Sequence, residues 1–124
     1  MRVLVCGGRE YNDRQWVWAV LDRVHARRPI TLLIQGEATG ADAHAGAWAV
    51  SRDVPRLPCS ADADFLAAGR RGGRVRNHRM LREGKPELVL AFPGHSGTAH
   101  MIEIAKDQGV KVILVGSRPT PTTE

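Results

Sequence analysis

The 124-residue sequence has few of the features that would anchor or cross-link a chain. It contains two cysteines, which are too few for a disulfide scaffold. No apolar run approaches the ~20 residues that span a bilayer, and the pair Gly7 and Gly8 interrupts the first apolar segment too early for a signal peptide. These absences predict a reduced, cytoplasmic protein with no membrane partner.

Lysine and aromatic residues are also scarce. Eighteen basic residues oppose thirteen acidic ones, for a net charge of +5, and only three of the eighteen are lysine. Arginine can contact phosphate or carboxylate through two hydrogen bonds at once, so we expect an anionic partner. The length fits one domain, residues 1–116. Residues 117–124 contain two prolines and no large apolar side chain, which predicts a flexible C-terminal tail.

Five short apolar segments predict five strands. Four of them are nearly continuous in aliphatic and β-branched residues, as in parallel strands that are covered on both faces. The third contains Pro55 and Pro58, which favour the edge of a sheet. The predicted strands are residues 2–6, 31–35, 54–59, 87–92 and 111–115.

Helical patterns lie between these strands. Val17, Val20, Leu21 and Val24 form one apolar face of a first helix, for which Asp13 is a suitable N-cap. Residues 60–73 are predicted to be a loop, and the other predicted helices are residues 41–51, 74–83 and 98–108, the last with Gly109 as its C-terminal cap. Alternating strands and helices predict an α/β fold, a single doubly wound domain with a five-stranded parallel sheet in the order 3-2-1-4-5.

In that strand order, ligands bind beyond the carboxyl ends of strands one and four. The glycine-rich loops predicted at this switch point contain Gly7, Gly8 and Arg9, then Gly36 and Asp42, and then Pro93, Gly94, Ser96, Gly97 and Thr98.

The third of these loops leads into a helix and predicts a phosphate site. Free N–H groups near Gly97, Thr98 and Ala99 would face the crevice, and Gly94 and Gly97 would let the backbone approach an anion closely. The alternative is an ordinary turn in which Thr98 caps the helix. Asp42 has two interpretations as well, a contact to ribose hydroxyls or a contact to free N–H groups of its own helix.

An arginine-rich segment forms a second candidate site. Arg74, His78 and Arg82 recur every four residues, a repulsive arrangement that a bound anion would offset. The alternatives are a solvated basic face and a surface for single-stranded nucleic acid between Arg70 and Arg82. Phe65 is the only aromatic residue near that surface, so stacking platforms for bases are lacking.

The remaining polar and aromatic residues suggest no cofactor. His78, His95 and His100 have no recognised zinc spacing, so we expect them to line the crevice as polar side chains and not to bind a metal. Trp16 and Trp18 lie about 200° apart around one helix, so we expect at least one indole to be half-exposed. That indole is either a lone surface residue or a contact in a homo-oligomer, with a dimer favoured.

Four motifs together resemble one family across residues 2–115. The segments CGGREY (6–11), QGEATGAD (35–42), RNHRM (76–80) and AFPGHSGT (91–98) look like the YspA-type branch of the SLOG superfamily. This resemblance implies a Rossmann-like domain that binds nucleotides or their derivatives. The superfamily includes the lonely-guy phosphoribohydrolases and the DNA-binding protein DprA.

The resemblance also implies roles for single residues. It places phosphate contacts on Gly94, Gly97 and Thr98, and it matches Arg76 to an arginine that serves catalysis in the phosphoribohydrolases. Asn77 stands where those enzymes carry lysine, and Met101 stands where they carry a catalytic glutamate.

The segment after strand two also departs from the double glycine that is more usual in the family. The nearest carboxylate to Met101 in the sequence, Glu103, lies about 200° further around the helix and cannot replace the missing acid.

The sequence therefore favours binding or sensing of a phosphorylated nucleotide or nucleotide derivative, either a mononucleotide or an ADP-ribose-like molecule. Gly7, Gly8 and Arg9 would border the ligand, and Arg76 and Asn77 would contact its phosphate or ribose. One alternative is a nucleoside-monophosphate phosphoribohydrolase in which Arg76 is catalytic. Another is a single-stranded nucleic-acid binder that uses the arginine-rich helix.

Overall fold

A computed structural model describes residues 1–36 and 39–118, with the backbone alone for Ala63, Phe65 and Arg70. In the described part of the chain, no helix is both long enough and apolar enough to cross a membrane.

Five parallel strands form one sheet in the order β3-β2-β1-β4-β5, which confirms the predicted topology. At the centre of the sheet, Val3 pairs with Leu33 on one side and with Leu88 on the other. The edge position of the proline-containing strand is also confirmed, although it is shorter than predicted. The strands are β1 (Arg2–Cys6), β2 (Leu32–Gln35), β3 (Arg56–Pro58), β4 (Leu88–Ala91) and β5 (Lys111–Leu114).

Helices connect the strands, and two of the predicted helix ends agree closely with the structure. The Asp13 carboxylate accepts a hydrogen bond from the Trp16 backbone N–H at 3.1 Å, as expected of an N-cap. Gly109 adopts φ of 75° just beyond the last helix, a conformation that favours glycine. The helices are α1 (Arg14–Arg27), α2 (Ala41–Ser51), α3 (Asp62–Ala68), α4 (Gly72–Gly84) and α5 (Ser96–Asp107).

The core lies on both faces of the sheet. On one face, α1 and α2 bury a cluster that includes Val5, Leu33 and Trp48. On the other face, α4 and α5 bury a cluster that includes Ile34, Val89 and Met101. This double cover leaves the carboxyl ends of β1 and β4 accessible between the two helix layers.

The prediction that residues 60–73 form a loop is wrong. The chain there forms α3 and then a short 3₁₀ turn at Gly69–Arg71 that leads into α4. Leu66, the only large apolar side chain described in α3, is 91% exposed. The described side chains of α3 therefore form no buried apolar repeat that would have revealed the helix in the sequence. A polar contact holds it instead, because Asp64 forms an ion pair of 2.7 Å with Arg79 of α4.

The expectation that β5 is covered on both faces is also wrong. Ile113 is 39% exposed and Leu114 is 64% exposed. The composition of this strand resembles that of the central strands, but its position at the sheet edge leaves it only partly covered.

The predicted tail and the two tryptophans make contacts within the chain. Arg118 forms an ion pair of 2.6 Å with Asp13, so the first residues after 116 lie against the start of α1. Both Trp16 and Trp18 are half-buried, and their indole N–H groups donate to the carbonyls of Gly116 and His44. Residues 119–124 lie outside the described range, so the flexible tail and the dimer stay predictions.

Candidate functional site

A cavity of about 470 Å³ opens at the carboxyl ends of β1 and β4, at the topological switch point. Its wall combines backbone from the loops after β1 and β4 with side chains from α2, α4 and α5. The lining residues are Val5, Cys6, Gly7, Gly8, Arg9, Glu10, Asp42, Gly73, Arg74, Arg76, Asn77, Met80, His95, Ser96, Gly97, Thr98, His100 and Met101.

The three switch-point loops contact one another through their backbones. The Gly8 N–H donates to the Pro93 carbonyl at 2.8 Å, and the Gly8 carbonyl accepts from the N–H of Ala41. Gly40 has φ of 75°, and a Cβ there would lie 2.6 Å from the Arg9 carbonyl oxygen, so only glycine fits. The loops therefore form one connected rim, and the Gly8 N–H is already used within it.

The first turn of α5 presents three backbone N–H groups to this cavity. The helix begins at Ser96 and follows His95, whose side chain makes no capping hydrogen bond to a described residue. The N–H groups of Ser96, Gly97 and Thr98 therefore have no partner within the helix. They lie at the positive end of the helix dipole, a common setting for phosphate.

This position corrects two details of the sequence prediction. The helix begins two residues earlier than expected, so Thr98 lies inside its first turn and is not the cap. The Ala99 N–H, expected to be free, donates to the His95 carbonyl at 3.0 Å.

Arg76 connects the ends of two strands while it faces the cavity. Its Nη1 donates to the carbonyls of Gly36, at 2.8 Å, and Cys59, at 3.3 Å, and its Nε donates to Asn77 Oδ1 at 3.2 Å. Within residues 1–36 and 39–118, no hydrogen bond uses Nη2. The guanidinium is therefore fixed in orientation, and one of its nitrogens remains able to donate to a ligand.

Asn77 links this arginine to the loop before α5. Its amide nitrogen donates to the Gly97 carbonyl at 3.2 Å and to His100 Nδ1 at 3.1 Å. An amide nitrogen only donates, so His100 Nδ1 accepts this hydrogen bond and carries no proton. Burial, together with the charges of Arg74 and His78, lowers the pKa of His100 below its ordinary value.

The cavity brings together nine of the twelve residues predicted to bind nucleotide. They are Gly7, Gly8, Arg9, Asp42, Arg76, Asn77, Ser96, Gly97 and Thr98. Gly36, Pro93 and Gly94 lie behind this wall. The carbonyls of Gly36 and Pro93 accept hydrogen bonds from Arg76 and Gly8, and a Cβ on Gly94 would lie 2.8 Å from the Gly8 nitrogen.

Glu10 and Arg74 line the cavity but were not assigned to it from the sequence. Glu10 and the predicted Asp42 are the carboxylates that line the cavity, whereas Glu103 is exposed on α5. His95 and His100 line the cavity, as expected of polar side chains at the crevice, but His78 is exposed outside it.

Met101 is 1% exposed and packs in the core cluster on the α4 and α5 face. It also lines the cavity, so an apolar side chain stands where the family resemblance would place an acid. Met101 is therefore a core residue.

The arginine-rich segment divides between two roles. Arg79 donates hydrogen bonds to Asp64 and to the Ser60 carbonyl, both at 2.7 Å. Arg76 donates to the Gly36 carbonyl, directly after β2. Arg71, Arg74 and Arg82 are exposed, together with His78. The side chain of Arg70 lies outside the described residues, as do Glu37 and Ala38 of the loop after β2. The described arginines thus provide a smaller continuous basic surface than the sequence suggested.

The thiols and histidines show no redox or metal arrangement in the described ranges. Burial raises the pKa of Cys6 to about 12, with a smaller contribution from Asp42, so this thiol at the cavity floor stays protonated. Cys6 and Cys59 are both free. The His78 and His100 rings lie 5.3 Å apart, but no third histidine, cysteine or carboxylate among the described residues joins them as a metal ligand.

Comparisons with known proteins agree with this fold and with the four motifs. The chain is 36% identical to the Gene 61 protein of Mycobacterium phage D29 over 124 residues, which covers 95% of this chain and 98% of that protein. The DNA processing protein A (DprA) from Streptococcus pneumoniae has a similar fold, with a TM-score of 0.71 at 17% identity.

The match to DprA covers 90% of this chain and 48% of that one, so this chain spans about half the length of DprA. At that identity the likeness concerns the fold alone.

A family model, described as the YspA, cpYpsA-related SLOG family, matches residues 1–64. Membership of this family suggests binding that is related to nucleotides or nucleic acids. Because the model matches just over half of the chain, the chain belongs to the YspA, cpYpsA-related SLOG family.

Proposed function

We propose that the protein binds a phosphorylated nucleotide derivative, either a mononucleotide or an ADP-ribose-like molecule, in the switch-point cavity. One observation carries this proposal. The three free N–H groups at the start of α5 and the fixed guanidinium of Arg76 line the same cavity, which also contains two carboxylates. Cationic and anionic groups in one cavity suit a ligand that carries both phosphate and hydroxyl groups.

The phosphate would lie at the first turn of α5. The N–H groups of Ser96, Gly97 and Thr98 and the hydroxyls of Ser96 and Thr98 supply donors there. A Cβ built on Gly97 meets no atom within 4 Å, so an anion can approach this backbone without steric hindrance. Arg76 and Arg74 add positive charge from the α4 side of the cavity.

The sugar and base would extend along the rim after β1. Asp42 is 6% exposed and lines the cavity, which suits a carboxylate that accepts hydrogen bonds from ribose hydroxyls. Gly7, Gly8 and Arg9 border the same space, and the volume of about 470 Å³ falls in the usual range for small-molecule sites, roughly 300–1,000 Å³.

The two carboxylates also favour a second candidate function, hydrolysis of the N-glycosidic bond of a nucleoside monophosphate. Cleavage builds positive charge on the ribose, which Asp42 or Glu10 could stabilise, with Arg76 on the phosphate. Binding remains our first proposal, because Met101 occupies the position of the family's catalytic acid.

Isothermal titration calorimetry with AMP, ribose 5-phosphate, ADP-ribose and adenosine tests the proposal. We expect the phosphorylated compounds to bind and adenosine to bind at least about tenfold more weakly, because a hydrogen-bonded charged group contributes roughly 1.5–3 kcal/mol. Equal affinities for AMP and adenosine would overturn it. Native mass spectrometry of the purified protein provides an independent reading, since a co-purified nucleotide would appear as a defined mass increment.

A single-stranded oligonucleotide belongs in the same series. The nucleic-acid alternative predicts affinity that falls steeply as salt is raised and depends little on base sequence. We expect AMP to compete with any such binding only if the oligonucleotide occupies the same cavity.

A further inference from the structure

A second concave surface lies on the opposite side of the molecule from the α4 and α5 layer. It is a groove of about 800 Å³ between α1 and one face of β4 and β5. Its floor comes from alternate residues of the two strands: Leu88 and Leu90 of β4 are buried, whereas Ile113 of β5 is 39% exposed and Val115 is half-buried. We call this surface the α1 groove.

The α1 groove arises from the fold itself. On this face of the sheet, α1 and α2 cover β1, β2 and the buried Leu88 and Leu90 of β4, and among the described residues no helix follows β5 to cover that strand. The chain after β5 turns back to the start of α1, where the Gly116 carbonyl accepts from the Trp16 indole. This contact closes one end of the groove and leaves its length open.

The shape of the groove suits a helix. Trp16, Val20 and Val24 recur every four residues along α1, so one apolar stripe of this helix forms the side wall. The 14 residues of α1 extend over roughly 21 Å at 1.5 Å per residue, long enough to lie beside a helix of three to four turns. The apolar atoms lie on the sheet face and not along the free backbone edge of β5, which argues against an added strand.

The charges around the groove indicate which charge a bound helix would carry. Arg23, Arg27, Arg28 and Lys111 line the groove, whereas the only acidic lining residue is Glu87. The Glu87 carboxylate is already engaged by Arg28 at 3.2 Å and by the Arg2 backbone N–H at 2.8 Å. An occupant with acidic side chains beside its apolar stripe therefore complements the rim.

Two other occupants fit less well. A second copy of this chain related by a two-fold axis would bring two copies of the same basic rim to one interface, which places like charges near one another. Residues 119–124 read PTPTTE and contain no large apolar side chain to fill the floor.

We propose that the α1 groove is a docking site for an acidic amphipathic helix of another protein. The apolar stripe of that helix would pack on Val20, Val24 and Ile113, and its acidic residues would contact Arg23, Arg27 and Lys111. This proposal is independent of the nucleotide cavity, which lies at the carboxyl ends of β1 and β4.

A designed peptide provides the probe. A fluorescein-labelled peptide of about 16 residues, with leucines at helical spacing and glutamates beside them, is titrated with the full chain and followed by fluorescence anisotropy. The matched controls are the same composition in scrambled order and the same pattern with lysine in place of glutamate. We expect saturable binding of the acidic amphipathic peptide, weakened by added salt, and at least tenfold weaker binding of both controls.

Two neighbouring residues of β5 supply a matched pair of variants. Ile113→Glu places a charge on the groove floor and should reduce peptide affinity at least tenfold. Leu114→Glu places the same charge on the opposite face of the same strand and should leave it unchanged. Both side chains are already exposed by 39% and 64%, so the fold should tolerate either change. Arg23→Glu with Arg27→Glu should reverse the preference toward the lysine peptide.

Four outcomes would overturn the proposal. They are equal binding of the scrambled peptide, equal effects of the two β5 variants, a dimer in solution that Ile113→Glu dissociates, and a tenfold gain in peptide affinity on removal of residues 119–124. AMP binding measured on the same variants separates this proposal from the first, because neither β5 change touches the switch-point cavity.

Discussion

Asn77 connects the Arg76 side chain to the start of α5. Its side chain accepts a hydrogen bond from Arg76 Nε and donates one to the Gly97 carbonyl, each at 3.2 Å. The residue is 4% exposed, so these hydrogen bonds are shielded from water. Asn77 thereby holds the guanidinium and the start of α5 in a fixed relation. A lysine at this position could donate to the carbonyl but could not accept from Arg76.

Gly97→Val should abolish AMP binding and leave the fold intact. The new side chain would enter the cavity beside the free N–H groups of α5, and its Cβ meets no protein atom within 4 Å. Gly116→Val is the matched control, because it adds the same side chain at another unhindered glycine away from the cavity. Unchanged AMP affinity in calorimetry would remove the phosphate assignment.

Arg76→Ala should weaken AMP binding by ~1.5–3 kcal/mol and adenosine binding little. The same change leaves the carbonyls of Gly36 and Cys59 without this donor, so a lower unfolding midpoint in urea should accompany it. Arg82→Ala removes the same charge from an exposed position of α4 outside the cavity and should affect neither ligand. Equal losses for AMP and adenosine would show that Arg76 does not contact phosphate.

The ordinary pKa of His100 is 6.5. As the pH falls below this value, we expect His100 to lower the free energy of unfolding of the protein. The pKa is lowered in the folded state by burial and by nearby Arg74, so the unfolded chain binds the proton first and protonation favours unfolding. Stability from this group is complete above pH 6.5 and is lost as the pH falls through the lower pKa of the folded state.

Urea unfolding between about pH 7.5 and pH 5 measures this effect. His100→Asn keeps an acceptor for Asn77 and cannot be protonated, so its stability should change less over that range than that of the wild type. His78→Asn serves as the control for loss of a neighbouring imidazole. The carboxylates with lowered pKa, such as Asp64 and Glu87, have ordinary pKa values of 3.8 and 4.5, so their contributions are lost mainly below this range of pH. An identical pH profile in wild type and His100→Asn would show that His100 does not control this loss.

Incubation with nucleoside monophosphates should release no free base above a protein-free blank, as measured by chromatography. Turnover needs an acid or a charge stabiliser in the right place, and Met101 can be neither. Base release by the wild type that disappears in Arg76→Ala, and also in Asp42→Asn or Glu10→Gln, would replace the binding proposal with the hydrolase.

Local patterns in the sequence were enough to predict the strand order and most helices. The aliphatic runs of β1, β2 and β4 are buried as expected, and α2 spans the predicted residues. The segment α3 was missed because its described side chains form no apolar stripe, and Asp64 instead pairs with Arg79 of α4. The exposure of β5 was missed because it depends on which helices cover the sheet face, a property of the whole topology.

The same division applies to the candidate site. Glycine spacing and a strand-to-helix turn predicted the loops that form the rim. The entry of Arg74 into the cavity could not be predicted, because it depends on how α4 packs across the sheet end. The internal contacts of Arg76 and Arg79 were likewise hidden, since their partners lie 40 and 15 residues away in the sequence.

The most direct test of the central claim is the backbone amide spectrum of ¹⁵N-labelled protein titrated with AMP and, separately, with adenosine. Bound phosphate at the start of α5 predicts large, saturable shifts of the Ser96, Gly97 and Thr98 amide signals with AMP and much smaller shifts with adenosine. The amide of Ala99, already bonded to His95, should shift less. AMP that binds and leaves the first three signals in place would contradict the claim.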